Sequence, residues 1–173
     1  ASGRAVGIGI SCHVEATGLG PHEDARVTIN GNGKILVYTG SCAHGQSHET
    51  TLAQIAADEL SVSPEDVVIF SRDTKLVPSG IGTFGSRSAV TAGSVVQQAS
   101  VSLRKRMLSL ASELLECAEV DLELRDGKVS PKDTPHLGLS FEELAKQARF
   151  QSEASPSGVD DFTLDVEERF APP

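Results

Sequence analysis

The sequence has no tryptophan, one tyrosine and one methionine, and aromatic residues make up only 4% of it. Its core therefore has to be assembled from Val, Ile, Leu and Ala. Basic residues are also scarce: 15 Lys and Arg stand against 24 Asp and Glu, a formal charge of −9. A surface of that sign repels phosphate backbones instead of releasing their counterions, which argues against a nucleic-acid binder. No apolar run approaches the ~20 residues a membrane span needs, and no basic-then-apolar leader is visible. The three cysteines, Cys12, Cys42 and Cys117, are odd in number and widely spaced. They match neither a disulfide framework nor a CxxC zinc site and point to a reducing compartment, so a cytoplasmic location is expected. What is present is a globular composition: 39% hydrophobic residues over 173 positions, the length of one domain. The chain opens on Ala-Ser-Gly-Arg and closes on Phe170-Ala171-Pro172-Pro173 directly after an alternating stretch. A section of a longer polypeptide is the expectation.

Hydrophobic periodicity orders the elements. Val6 to Thr17 alternates, with Ile8, Ile10 and Cys12 on one face, as a half-buried strand does. Ala25–Ile29 and Lys34–Tyr38 are β-branched runs joined by Asn30-Gly31-Asn32-Gly33, a hairpin pattern. Leu52, Ile55, Ala56 and Leu60 lie at helical spacing between Glu49 and Leu60, and Val67–Phe70 is long enough only for a buried strand. A loop rich in Gly, Ser, Thr and Pro spans residues 71–87. It leads into the longest helical stripe, Ala92, Val96, Ala99, Leu103, Met107, Leu110 and Leu114, within about 88–116. Its first turns carry the small residues Ser88, Ala89, Ala92 and Gly93. Arg104, Lys105 and Arg106 read as a solvated face. Val120–Leu124 alternates into an Asp126-Gly127 turn, and Ser140-Phe141-Glu142-Glu143 reads as an N-cap with a helix to about Ala148. Phe162, Leu164 and Val166 alternate in the tail. The expected architecture is α+β (mixed α/β): a mixed β-sheet packed against two or three helices. It forms a single domain over 1–173, with a core at 5–125 and a C-terminal part at 126–173.

Chemistry concentrates in two places. Gly80-Ile81-Gly82-Thr83-Phe84-Gly85 matches G-x-G-x-x-G, but the preceding strand ends some ten residues too early. The acidic position about 20 residues on is occupied by Leu103, Arg104, Lys105 and Arg106. A Rossmann-type nucleotide site is thereby disfavoured. What remains is the physics beneath the pattern: small residues entering a helix expose backbone N–H groups to an anion. That arrangement occurs twice, at His44-Gly45-Gln46-Ser47-His48 and at Gly82 through Ser88. Two cradles fit one ligand with several polar anchors, such as a dinucleotide or a phosphorylated pterin. The alternative is an α/β module without catalysis, in which both loops are ordinary helix starts. His44 and His48 lack the partners of a zinc site, and no G-x-S-x-G elbow exists. Glu15 reads either as a solvated acid or as part of a hydrogen-bonded pocket wall.

The ordered series Gly7-Ile8-Gly9, Val14 to Gly18, Gly33-Lys34-Ile35, Val37 to Gly40, His44 to Thr51, Gln54-Ile55, Ala57 to Leu60, Asp73-Thr74 and Pro78 to Ser88 resembles a known family. It is that of the large, molybdenum-binding subunits of xanthine dehydrogenases, aldehyde oxidases and carbon monoxide dehydrogenases, the bacterial carbon-monoxide-dehydrogenase-like branch most of all. The resemblance implies that Gly45, Gln46, Ser47 and His48 form a pterin-side loop. It implies that Thr83, Phe84, Gly85, Ser86 and Ser88 grip the cofactor through N–H and hydroxyl groups. It further implies a molybdopterin cytosine dinucleotide whose sulfurs hold the molybdenum, and hence no protein metal ligand. The implied partners are the rest of its own large subunit and iron–sulfur (2Fe-2S) and flavin (FAD) subunits or domains, in a dimeric complex. The family's catalytic glutamate and substrate loop fall outside this chain, so no catalytic residue is expected within it. Ser47 stands where the family has glycine in Gly-Gln-Gly; a serine can cap a helix at least as well as glycine, but it takes a positive φ only at a cost and keeps a ligand further off. Arg72 stands where glycine usually precedes Asp-Thr.

Overall fold

The computed structural model describes residues 3–77, 79–154 and 163–173. Two β-runs come first, β1 (Glu23–Ile29) and β2 (Ile35–Thr39), paired antiparallel with Val27 opposite Val37. The turn between them is held by Asn30, whose side-chain oxygen accepts from the amides of Asn32 and Lys34. Helix α1 (His48–Leu60) follows, then β3 (Val67–Phe70), which lies parallel to β2. The main sheet is completed by the last element, β7 (Asp165–Phe170), antiparallel to β1, for the order β3-β2-β1-β7.

Between β3 and β7 lies a π-helical turn, Ala89–Gly93, that runs into α2 (Ser94–Leu115). A second sheet follows, β4 (Leu122–Arg125), β5 (Lys128–Pro131) and the two-residue β6 (Leu139–Ser140), and then α3 (Phe141–Ala154). Alternation places Ala25, Val27, Ile29, Ile35 and Val37 on the inner face of the main sheet. The α2 stripe, with Val96, Ala99, Leu103 and Met107 fully buried, lies on that face. Helix α1 packs on α2 and β3 with Leu52, Ala56 and Leu60. Truncating a side chain such as Leu103 to alanine in such a core costs about 2–5 kcal/mol. Ser140 and Glu143 close a reciprocal box at the start of α3. The Glu143 carboxylate accepts from the Ser140 amide and hydroxyl, and the Glu143 amide donates to the Ser140 hydroxyl. These bonds hold the Glu143 carboxyl below its ordinary value.

The α+β architecture expected from the pattern is present, with three helices, but the strands divide into two sheets. The strand expected over Val6–Thr17 is not formed. The segment carries no helix or strand, Ile8 and Ile10 are 93% and 90% exposed, and no described strand pairs with it. Alternation marks a strand, but only a neighbour can take its backbone hydrogen bonds. The run Val67–Phe70 is a strand at a sheet edge, and only Val67 is buried. Helix α3 outruns its expected end at Ala148 by six residues. In the tail Leu164 and Val166 are buried as their alternation requires, while Phe162 lies outside the described residues.

Candidate functional site

Two loops meet at one end of the main sheet. The first, residues 40–47, leaves β2 and enters α1. The second, residues 79–88, enters the π-turn ahead of α2. Their bases touch at Gly40 and Gly80, where a Cβ on either residue would lie 2.5 Å from the other's Cα. No side chain fits there, so both positions must be glycine. Glu23, at the start of β1, closes the same junction. Its Oε1 is buried without a hydrogen-bond partner and would stand 2.7–2.8 Å from a Cβ on Gly40 or Gly80.

The second loop is held from behind by Arg87, which is fully buried. Its guanidinium donates to Glu23 Oε2 at 2.5 Å and to the carbonyls of Leu19 at 2.7 Å, Gly82 at 2.6 Å and His22 at 2.5 Å. It also lies 5.3 Å from the centre of the half-exposed Phe84 ring. The buried charge is thus both paired and saturated with acceptors, the condition under which a buried ion pair is tolerated. From outside, Gly18 donates its amide to the Ser86 carbonyl, and the Ser86 hydroxyl donates to Glu15 Oε2 at 3.0 Å. Glu15 is thus exposed to solvent and hydrogen-bonded against the second loop at once.

Ser41 joins the two loops. Its Oγ lies 3.1 Å from Thr83 Oγ1 and 3.0 Å from Ser88 Oγ, and its carbonyl accepts from His48 Nδ1 at 3.1 Å. Thr83 Oγ1 also donates to the Cys42 carbonyl at 2.7 Å. Three of the expected residues, His48, Thr83 and Ser88, are thereby brought to one point, and Ser41 itself is 1% exposed. Sequence reasoning missed Ser41, Arg87 and Glu23. The available signal was a charged Arg inside an otherwise small, polar loop, with an acid at the head of the first confident strand.

Gly45, Gln46 and Ser47 form the exposed crest of the first loop, and the Gln46 side-chain oxygen accepts from the His44 amide. Ser47 does not cap α1 through its side chain. It sits at φ 61°, ψ 40° with no cap hydrogen bond, because the left-handed conformation carries its hydroxyl away from the first-turn amides. The π-turn also starts at Ser88 without a side-chain cap. Arg72 adopts φ 72°, with its guanidinium 3.0 Å from the Ala43 carbonyl and 3.2 Å from Glu49. Both places where a side chain replaces an expected glycine thus retain the glycine-type backbone.

Such a surface suits an anion. The backbone amides of Gly45, Gln46, Phe84, Gly85 and Ser86 donate to no described residue. Gly45 and Gly82, at φ 103° and 99°, have nothing within 4 Å of a would-be Cβ, so a ligand can approach their backbone. Free N–H groups at two helix entries supply positive potential without any lysine. Among the described residues no group of three or more His, Cys, Asp or Glu is placed to hold a metal ion. The donor set therefore fits a phosphate-bearing organic group held by backbone dipoles. Fold and site together have the character of a cofactor-binding domain.

The chain belongs to the molybdopterin cofactor-binding domain family, whose profile matches residues 1–172. It is 38% identical over 154 residues to the gamma subunit of the 6-hydroxypseudooxynicotine dehydrogenase complex of Paenarthrobacter nicotinovorans, covering 89% of this chain and 19% of that one. It is 34% identical over 151 residues to the carbon monoxide dehydrogenase large chain of Afipia carboxidovorans, covering 81% of this chain and 19% of the relative. Among solved structures, quinoline 2-oxidoreductase from Pseudomonas putida 86 superposes with a TM-score of 0.76 at 38% identity, over 91% of this chain and 21% of that chain. The chain spans about a fifth of the length of these relatives.

Proposed function

We propose that this chain is the cofactor shelf of a molybdenum hydroxylase large subunit. The two loops hold the pterin cofactor by its anionic arm. Gly45, Gln46, Ser47 and His48 serve on one side, and Thr83, Phe84, Gly85, Ser86 and Ser88 on the other. The observation that carries this is the pair of helix entries, uncapped by side chains and fastened to each other at Ser41. When bound, the molybdenum–pterin group supplies two-electron redox chemistry. This chain's part is to bind and orient it. The donors are backbone amides, so the shelf recognises charge and shape without needing a cationic side chain. The cytosine dinucleotide is the form we assign to the cofactor. The electron partners we assign are 2Fe-2S and FAD subunits or domains, in a dimeric cytoplasmic complex with the 173 residues acting as one domain. The general base belongs to another part of the subunit, since the loops present no carboxylate free to take a proton from an attacking oxygen: Glu15 is engaged by Ser86 and Glu23 is sealed behind Arg87.

Metal and pterin analysis of the purified parent protein tests this directly. Stoichiometric molybdenum and pterin are expected, and the absence of both refutes the reading. The 173-residue chain by itself is expected to turn over no aldehyde or N-heterocycle, because the shelf lacks the base. Measurable hydroxylation by it contradicts the division of labour.

A further inference from the structure

The stretch from Val6 to Val14 has the pattern of a strand but no strand partner among the described residues. Val6, Ile8, Ile10, Cys12 and Val14 alternate with Gly7, Gly9, Ser11 and His13, so in extended form every apolar side chain falls on one face. Val6, Ile8, Ile10 and Val14 are all exposed. Single exposed apolar residues are ordinary, but four in register on one short segment mark a contact surface. The opposite face starts flat, since a Cβ on Gly7 or Gly9 would meet nothing within 4 Å. No backbone group from Val6 to Val14 bonds to the backbone of another described residue.

Two further observations narrow what covers it. The stretch contains no Asp, Glu, Lys, Arg or Pro. Sheet edges that stay exposed are blunted by charge, proline or bulges, and an uncharged alternating strand is a template for pairing. An acidic or basic partner surface finds nothing to match here, whereas an apolar sheet edge does. The segment also leaves the body at a fixed point. Gly18 donates to the Ser86 carbonyl, Glu15 accepts from the Ser86 hydroxyl, and a Cβ on Gly18 would stand 3.0 Å from Val90 Cγ1. The outer strands of the main sheet, β3 and β7, do not take it up.

We propose that Val6–Val14 is a docking strand, which adds to an exposed sheet edge in the part of the large subunit that lies outside these 173 residues. Main-chain hydrogen bonds supply the pairing, as in other cases of strand addition. The face formed by Val6, Ile8, Ile10 and Val14 packs into the apolar layer of that sheet. The family profile takes in residues 1–172, so the segment belongs to the domain itself. The chain spans about a fifth of its relatives, and the remainder of such a subunit is tethered to the segment. A tethered partner has an effective concentration that a separate subunit or a second copy lacks. Because Glu15 and Gly18 both hold Ser86, docking of the strand also fixes the second loop from outside. The inference rests on the large-subunit reading for the identity of the partner; the alternation, exposure and lack of charge belong wholly to this chain.

The test uses the purified parent protein in its complex. Hydrogen–deuterium exchange read by mass spectrometry is expected to show the amides of residues 7–14 exchanging about a hundredfold more slowly than in a free peptide of the same sequence. Exchange at the free-peptide rate overturns the proposal. The partner is read by replacing Ile8 with photo-leucine, which keeps the aliphatic bulk, and mapping the adducts after irradiation. Adducts are expected on the same polypeptide outside residues 1–173. Adducts within those residues, on a second copy or on another subunit overturn the assignment. Molybdenum and pterin analysis of the same preparation separates this proposal from the cofactor reading. A slowly exchanging segment in a protein without cofactor keeps the docking strand and defeats the shelf. A loaded protein whose segment exchanges freely does the reverse.

Discussion

Replacing Ser47 with glycine should make the protein more stable. Ser47 holds φ 61°, ψ 40° and its side chain makes no cap bond to α1, so the hydroxyl gives nothing to offset the backbone conformation. A left-handed helical geometry costs an L-residue roughly 1–2 kcal/mol. Glycine occupies it freely, but loses about 0.4–1 kcal/mol through the greater freedom of its unfolded chain. The balance is a gain of about 1 kcal/mol. For a chain of this size that raises Tm by about 2–4 °C. Thermal unfolding followed by circular dichroism reads the shift, with Ser47→Ala as the control. Alanine keeps the Cβ and the strain, so its Tm should stay near that of the unaltered protein. A lower or unchanged Tm for Ser47→Gly refutes the reasoning, as does an equal rise for Ser47→Ala. Arg72, at φ 72°, has contacts to Ala43 and Glu49 to lose and should gain less on conversion to glycine.

Glu23→Gln leaves the Arg87 guanidinium buried without its counter-charge, and a loss of about 3–5 kcal/mol is expected in urea unfolding; an unchanged midpoint means that the pair carries no such weight. Gly40→Ala puts a Cβ 2.5 Å from the Gly80 Cα, so the two loops must part, and pyrophosphate affinity and Tm should fall together; a normal Tm means that the junction is softer than its geometry. Asp24, held below its ordinary value chiefly by the Arg169 side chain, contributes stability that is present above the ordinary aspartate range and is lost as pH falls through the lowered value. Asp24→Asn should therefore flatten the acid side of the stability profile, and an unaltered acid slope argues against that linkage. Ser140→Ala removes the box at the head of α3 and should cost about 1 kcal/mol in chemical denaturation.

Elements whose signals are local were legible. The Asn30 turn, the α2 stripe and the Ser140–Glu143 box all stand where the pattern put them, because each is decided within a few residues along the chain. The loop residues were found by their small size and hydroxyls, but what locks them was not. Ser41 joins partners 42 and 47 residues away, Thr83 and Ser88, and no local pattern encodes such a meeting. The Val6–Thr17 alternation was real but lacked a neighbour, which a single segment cannot announce. Ser47 shows a third limit. Side-chain chemistry favours it as a cap, while the backbone conformation that rules the role out is set by the path from β2 into α1.

The pairing of β7 with β1 has a consequence for biosynthesis. Arg26 and Asp165 form an ion pair across 139 positions of sequence, and β1 is the second strand from the edge of the finished sheet. During synthesis β1 and β2 precede β7, and β1 waits through the 139 positions that separate Arg26 from Asp165 for the strand that closes its other side. Contacts of such long separation form slowly, and an unpaired edge is a template for other chains. Nascent chains stalled before residue 165 are therefore the species in which chaperone occupancy and aggregation should peak.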